Sequence, residues 1–255
     1  MNTFSPDELK ILEEKFRLTN ITNTSPLSIQ ISHLLDEVQI HLYLTAIKEK
    51  TKAANLGVAA SLFVKRYSFA ILTALYSMSV LNKRIDFSFQ NVSIQTLEES
   101  DPLWLPSIKF NNIKLSPAPQ DRENWRNEIL TSIFANHLDV LFNLFNKTTK
   151  ISKMIMWENL YLYIVWMYQN LLDDKQYSDR YDDMKEDFDW ITAIGKGMLF
   201  GEYKENPFLK FRGPNDAFSI LDGPAHNRKT CCLSYLTENK GRFCKTCPIR
   251  LKRKS

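Results

Sequence analysis

Apolar residues recur three and four positions apart along most of the chain, a spacing that predicts a helix-rich protein. The Ser5-Pro6-Asp7-Glu8 segment is a helix start, and this first helix is expected to run to about Leu18. A second helix is predicted from the Thr24-Ser25-Pro26 segment. Its apolar positions are Ile31, Leu34, Leu35, Val38, Leu42 and Ala46. A third is predicted to begin near Leu56 and to include the apolar run through Leu81.

Residues 85–116 change to an alternating pattern, which predicts a small antiparallel sheet. Apolar residues alternate with polar ones at Ile85, Phe87 and Phe89. Between Ile108 and Leu115, the Asn111-Asn112 pair predicts a tight hairpin, because Asn tolerates the left-handed backbone that such turns need. The prolines that follow, beginning with Pro117, are expected to end the sheet.

Helical spacing returns after the predicted sheet. Residues 121–146 keep an apolar residue every three or four positions, and residues 152–172 are apolar on nearly every face, which predicts a buried central helix. Residues 179–200 begin acidic and end rich in glycine, and residues 201–225 resemble a linker. The pattern therefore predicts an α+β fold, a helix-dominated single domain with a small antiparallel sheet and a C-terminal cysteine-rich cap.

Charge divides the chain into two segments. Residues 1–225 hold 24 basic and 28 acidic side chains, whereas residues 226–255 hold nine basic side chains and one acidic side chain. All four cysteines of the chain lie in this basic C-terminal segment. We therefore expect a helix-rich domain over residues 1–225 and a metal-binding segment over residues 226–255.

The N-terminus lacks a basic stretch followed by an apolar one, so no secretory signal is expected. The most apolar run, 67–82, is shorter than the roughly 20 residues of a membrane span. Basic pairs flank this run, Lys65-Arg66 before it and Lys83-Arg84 after it, and are interpreted as solvated helix ends. These features predict a cytoplasmic protein without a membrane span. In a reducing cytosol, clustered cysteines favour metal binding over disulfides.

The cysteines form an adjacent pair, Cys231-Cys232, then an eleven-residue spacer, then Cys244 and Cys247 in a C-x-x-C turn. Four thiolates bind either tetrahedral zinc or an iron–sulfur cluster. Adjacent cysteines fit a zinc knuckle poorly, because successive side chains of an extended chain point to opposite faces. The spacing favours an iron–sulfur cluster and leaves zinc open.

The run from Arg228 through the second cysteine pair to Pro248 resembles the C-terminal signature of the FhuF family of ferric-siderophore reductases. Residues 60–67 are similar to the N-terminal half of that family. The spacer has eleven residues where the family has ten, and we place the extra residue near Asn239-Lys240-Gly241, where a loop insertion costs little.

The resemblance implies a cofactor and a reaction. It implies a [2Fe–2S] cluster whose ligands, and catalytic residues, would be Cys231, Cys232, Cys244 and Cys247. It further implies one-electron reduction of Fe(III) in an imported ferric siderophore, with release of Fe(II) in the cytoplasm. Basic residues beside the cysteines are expected to face the anionic siderophore or an acidic electron donor. The candidates for substrate contact are Arg228, Lys229 and Arg242.

No nucleotide or flavin fingerprint is found, since Gly195-Lys196-Gly197 lacks the rest of a P-loop. An external electron donor of the ferredoxin or flavoprotein type is therefore expected. Aromatic residues of the predicted central helix are interpreted as core; these are Trp157, Tyr161, Tyr163, Trp166 and Tyr168. His226 is a weaker candidate for a role near the cysteines.

Two other functions remain open. One is a zinc-stabilised module that docks its basic segment on nucleic acid or on an acidic partner. No recognition helix or stacking motif accompanies the basic residues, so of these two partners nucleic acid is not expected. An iron–sulfur electron carrier could pass electrons to another protein.

Overall fold

The structure, a computed structural model, describes residues 3–212, 228–237, 243–244 and 247–252. The α-helices are α1 (Pro6–Phe16), α2 (Glu37–Thr51), α3 (Leu56–Ser79), α4 (Arg122–Ile133), α5 (Val140–Thr149), α6 (Lys153–Asp173), α7 (Tyr181–Asp189) and α8 (Pro248–Lys252). The strands are β1 (Ile29–Gln30), β2 (Lys83–Ile85), β3 (Val92–Gln95), β4 (Ser107–Phe110) and β5 (Leu115–Pro117). This helix-rich fold with small antiparallel sheets confirms the predicted α+β class.

The helices α3 and α6 form the centre of the fold and pack most extensively against each other. Nearly every residue of α3 is buried, and three of its buried hydroxyls, those of Ser68, Thr73 and Ser77, donate to carbonyls four residues earlier at 2.8–2.9 Å. Among the described residues, α3 is the one helix long and apolar enough to span a membrane, and 94% of that stretch is buried inside the protein. Such burial is typical of a core helix.

The predicted start of α1 is confirmed. The Ser5 hydroxyl accepts a hydrogen bond from the Glu8 amide at 3.2 Å, and the Glu8 carboxylate accepts one from the Ser5 amide at 2.7 Å. This reciprocal cap satisfies two amides that the first helical turn leaves without partners. The helix ends at Arg17, whose φ of 59° is left-handed.

The prediction that a second helix begins at the Thr24-Ser25-Pro26 segment is wrong. That segment leads into β1 and a 3₁₀ helix (Ile31–Leu35), and α2 begins only where the Asp36 carboxylate accepts the amides of Val38 and Gln39. The predicted apolar face is also wrong, since Val38 is 64% exposed. The buried face of α2 is formed by Ile40, Tyr43, Leu44 and Ile47.

The alternating region forms two sheets instead of one. One sheet has the order β1-β3-β4 and the other pairs β2 with β5, all antiparallel. The predicted hairpin at Asn111-Asn112 is wrong, because its two arms, β4 and β5, lie in different sheets. The amides of Asn111 and Asn112 instead bond to the backbone oxygen and side-chain oxygen of Asn91 at 2.8 Å each. These bonds hold the segment that connects the two sheets.

The predicted helical regions after the sheets are confirmed. A π-helical turn, Phe134–Asp139, joins α4 to α5, and α6 begins after the Ser152 cap. The linker prediction is wrong for residues 201–212, because Phe208 is fully buried and its ring centroid lies 5.5 Å from that of Trp157. Residues 213–225 of that predicted linker lie outside the described residues.

Candidate metal centre

The segment before the first cysteine pair is held by a buried carboxylate in the middle of α6. Glu158 is fully buried and accepts hydrogen bonds from the amides of Lys229 and Thr230, at 2.6 and 2.8 Å, and from the Thr230 hydroxyl. The Arg228 guanidinium lies 3.5 Å from the same carboxylate. A buried carboxylate needs such partners, because an unpaired charge in the core is costly. We call these contacts the Glu158 clamp.

A second anchor joins α6, α3 and the first cysteine pair. The side-chain oxygen of Asn159 accepts from Arg228 at 2.6 Å, and its amide donates to the Ser61 hydroxyl at 2.9 Å. The Ser61 hydroxyl in turn donates to the backbone carbonyl of Cys232 at 2.8 Å. The two central helices therefore fix the path of residues 228–232.

The four cysteines form two pairs of thiols. The sulfur atoms of Cys231 and Cys247 lie 3.8 Å apart, and Cys244 hydrogen-bonds to Cys232. Cys232 and Cys247 are buried, and the other two cysteines are half-buried. Within the described residues, no three His, Cys, Asp or Glu side chains converge as closely as one metal ion requires. Two thiol pairs can supply two thiolate ligands to each of two irons.

Polar groups contact two of the sulfur atoms. The Leu233 amide donates to the Cys231 sulfur at 3.4 Å, and the Cys232 thiol donates to the Ser234 hydroxyl at 3.3 Å. That hydroxyl also accepts from Lys65 at 2.9 Å, which brings a positive charge close to Cys232. An amide donor and a nearby cation both stabilise a thiolate over a thiol.

The thiols consequently differ in pKa. The hydrogen bond from Cys244, followed by the positive charge of Lys65, holds the pKa of Cys232 well below its ordinary value, although burial opposes this shift. The same hydrogen bond raises the pKa of Cys244. Burial raises the pKa of Cys231, and the negative charge of Cys247 adds to that increase. The donor set as a whole fits a [2Fe–2S] cluster.

The predicted substrate contacts have different positions. Arg228 is only 5% exposed and lies in the Glu158 clamp, whereas the Lys229 side chain is exposed and only its amide joins the clamp. Arg242 and His226, and the spacer insertion at residues 239–241, lie outside the described residues.

The interpretation of Lys65-Arg66 as a solvated helix end is wrong. Arg66 is 6% exposed and donates to the carbonyls of Leu103 and Trp104 at 3.0 Å, and Lys65 is half-buried beside Cys232. Both lie inside α3, which begins nine residues before Lys65. Lys65 therefore faces the cysteine segment, and Arg66 faces a loop.

The core interpretation of the aromatic residues on α6 holds for Trp157, Tyr161 and Tyr168, which are buried. It is wrong for Trp166, which is 43% exposed. Trp166 and Tyr163 line a cavity that also reaches Cys232 and Cys244. One helix thus contributes both to the core and to the surroundings of the thiols.

Sequence reasoning missed Ser61, Glu158 and Asn159. A signal was present, because Glu158-Asn159 is a polar pair inside a helix that is otherwise apolar on nearly every face. A carboxylate at a buried position needs donors from elsewhere in the chain. The donors lie about 70 residues away in sequence, so the pair alone did not identify them.

Comparison with known proteins matches the helix-rich region and the cysteine segment to models of one family. The family model described as ferric iron reductase FhuF-like transporter matches residues 61–218. The model described as FhuF 2Fe-2S C-terminal domain matches residues 228–248, a range that includes all four cysteines. No curated protein matches the chain in sequence.

Proposed function

Because the chain belongs to the FhuF-like ferric iron reductase family, we propose that it reduces the Fe(III) of an imported ferric siderophore in the cytoplasm, one electron at a time, and releases Fe(II). The protein is an oxidoreductase of siderophore iron, and its cofactor is a [2Fe–2S] cluster. The match of the 2Fe–2S domain to residues 228–248 carries this proposal.

The cluster ligands in this proposal are Cys231, Cys232, Cys244 and Cys247. Their division into two thiol pairs supports the assignment, and so does the Leu233 amide that donates to Cys231. When bound, the cluster supplies and accepts single electrons. Ser61 and Glu158 hold the ligand segment against the core, which keeps the site in one geometry. Burial of Cys232 and Cys247 excludes water from one side of the site.

Reduction explains how the iron would be released. Siderophores bind the hard Fe(III) ion through oxygen atoms, and these ligands hold the softer, less charged Fe(II) ion much more weakly. The protein therefore needs to break no covalent bond. Its residues need to place the ferric complex close to the thiol pairs and hold it there.

The electron would come from a separate protein of the ferredoxin or flavoprotein type. The nine basic side chains of residues 226–255 support an acidic donor, because opposite charges speed the encounter of electron-transfer partners. Exposed Lys229 is a candidate for that contact. Arg242 is proposed as a contact for the anionic substrate.

Stopped-flow mixing of anaerobically purified holoprotein with a ferric chelate tests the proposed function. The reduced protein is mixed with the Fe(III) complex of a tris-hydroxamate or a tris-catecholate siderophore, while a ferrous-specific chelator traps the product. We expect visible absorbance to return to that of the oxidised protein as one Fe(II) appears per electron. The Ga(III) complexes serve as controls, because Ga(III) does not accept an electron under these conditions.

A Cys232→Ala variant removes one thiolate, so we expect it to lose both colour and activity. Protein that is colourless and holds one zinc per chain would support the binding module instead. If other proteins reduce and reoxidise the chain but ferric chelates do not reoxidise it, the chain is an electron carrier.

A further inference from the structure

A cavity of about 330 Å³ opens beside the Cys232 and Cys244 pair. Lys65 and Phe69 of α3 form one side of it, and Tyr163 and Trp166 of α6 form the other. We propose that this cavity binds one oxygen-rich chelating arm of the ferric siderophore, so that the complex rests against the Cys232 and Cys244 side of the metal centre. The inference rests on the proposed reductase function, since it names where the substrate of that reaction binds.

Lys65 is the cation available to the ligand. Its ammonium group has three N–H bonds and donates one of them to Ser234 at 2.9 Å. No carboxylate among the described residues forms an ion pair with Lys65. Arg228, the other cation at this cavity, is by contrast occupied by Glu158 and Asn159. The remaining N–H bonds of Lys65 can therefore donate to the oxygen atoms of a chelating group.

Aromatic rings form the apolar walls. The Phe69 ring meets that of Tyr163 edge to face, with centroids 5.6 Å apart, and the Arg17 guanidinium lies 4.4 Å from the centre of the Phe69 ring. These contacts fix Phe69 in place before a ligand arrives. Trp166 is 43% exposed and contributes an apolar ring to the wall of the cavity. Planar chelating groups such as hydroxamates and catecholates stack favourably on rings of this kind.

The size of the cavity sets what enters it. Its volume of about 330 Å³ lies at the low end of small-molecule pockets, which range from about 300 to 1,000 Å³. A siderophore that wraps iron with three bidentate groups is too large to enter whole. One arm fits, and the iron then stays outside a cavity whose lining includes the half-buried Cys244.

Binding of redox-inert chelates tests this site separately from the reaction. Oxidised holoprotein is titrated by calorimetry with the Ga(III) tris-hydroxamate chelate and, in parallel, with the Ga(III) tris-catecholate chelate. We expect one of the two to bind with one molecule per chain. Trp166→Ala and Lys65→Met should each raise its Kd about tenfold, the effect of losing about 1.4 kcal/mol of binding free energy.

Matched variants control for surface changes. Tyr181 is 42% exposed and lies on α7, outside the cavity, and Lys196 is an exposed lysine outside the cavity. Tyr181→Ala and Lys196→Met should bind the Ga(III) chelate as the unmodified protein does. Because Trp166 is at the surface, Trp166→Ala should fold normally, and Trp166→Phe should restore most of the binding.

The outcomes separate this inference from the proposed function. If the unmodified protein reduces ferric chelates while Trp166→Ala and Lys65→Met keep unchanged Kd and KM values, the cavity is not the substrate site and the reductase function stands. Absence of Ga(III) chelate binding to the unmodified protein would also overturn the cavity proposal. If the unmodified protein reduces no ferric chelate, the proposed function itself fails.

Discussion

The Ser61 hydroxyl donates a hydrogen bond of 2.8 Å to the backbone carbonyl of Cys232, so a core helix holds the peptide of a cysteine directly. Three other buried hydroxyls of α3, those of Ser68, Thr73 and Ser77, bond within the helix itself, and that of Ser79 contacts the Tyr168 hydroxyl at 2.6 Å. At Ser61, the hydroxyl of α3 bonds to the cysteine segment instead.

Replacing Ser61 by Ala should speed the loss of the cluster. The change leaves the Cys232 carbonyl without this donor, at a cost of about 1–2 kcal/mol to the anchoring of the segment. The decay of visible absorbance in the presence of an iron chelator measures the loss. Ser77→Ala is the matched control, because Ser77 is equally buried in α3 but bonds to Thr73. Equal decay rates for the two variants would contradict the anchoring role.

Replacing Glu158 by Gln should remove most of the iron from the purified protein. The variant leaves Arg228 without its buried counter-charge and places an amide NH₂ against backbone donors. Loss of one partner of a buried ion pair typically costs about 3–5 kcal/mol. Iron and acid-labile sulfide per chain report the cluster, and far-UV circular dichroism should show that the helices remain.

The control for this change is Glu128→Gln. Glu128 is 53% exposed and pairs with Arg84 at 2.9 Å, so its loss should alter stability by less than about 1 kcal/mol and leave the iron content unchanged. A Glu158→Gln protein with full iron content would show that the Glu158 clamp does not support the metal centre.

The two thiol pairs predict which disulfides form when the metal-free protein is oxidised mildly. Double serine variants that retain Cys231 with Cys247, or Cys232 with Cys244, should close a disulfide at least about tenfold faster than variants that retain the other combinations, because the retained sulfur atoms are already adjacent. Mass spectrometry measures the loss of two hydrogen atoms with time. Similar rates for all six combinations would argue against the pairing and against its extension to the two irons.

His137 should make the protein less stable in mild acid. It is buried, with Nε2 2.7 Å from the Tyr67 hydroxyl and Nδ1 3.0 Å from the Phe87 carbonyl. Because a carbonyl only accepts, Nδ1 carries the proton and Nε2 accepts from Tyr67. Burial lowers the pKa of His137 from 6.5 to about 3, so its neutral form is the one that the fold stabilises.

The sign of the effect follows from proton binding. Below about pH 6.5 the unfolded chain takes up a proton at His137 that the folded protein does not bind until about pH 3, so stability is lost as the pH falls through this window. Between about pH 7 and pH 5 the loss amounts to about 2 kcal/mol. Urea unfolding at both pH values should show that loss in the unmodified protein, and a correspondingly smaller one in His137→Gln. Equal pH slopes would mean that His137 titrates normally.

The sequence was most informative where local rules decide the structure. The Ser5 cap and the long apolar runs of α3 and α6 predicted those helices, because capping and burial act over a few turns. The cysteine signature likewise predicted the cofactor. In each of these cases the residues that decide the outcome are close together in the sequence.

Prediction from the sequence failed where contacts between residues far apart in the chain determine the local structure. The turn at Asn111-Asn112 was expected to close a hairpin, but both amides bond to Asn91, about 20 residues away. The Glu158 clamp and the Ser61 bond join residues about 70 and 171 positions apart. Periodicity contains no information about such partners, so the cavity between α3, α6 and the cysteines could not be predicted from the sequence either.

The long sequence separation between Ser61 and Cys232 also orders the maturation of the protein. As the polypeptide leaves the ribosome, α3 and α6 are made well before the cysteines, and N-terminal regions generally fold first. The cysteine segment finds its anchors only once these two helices have packed against each other. We therefore expect cofactor loading to favour chains in which α3 and α6 have already packed together.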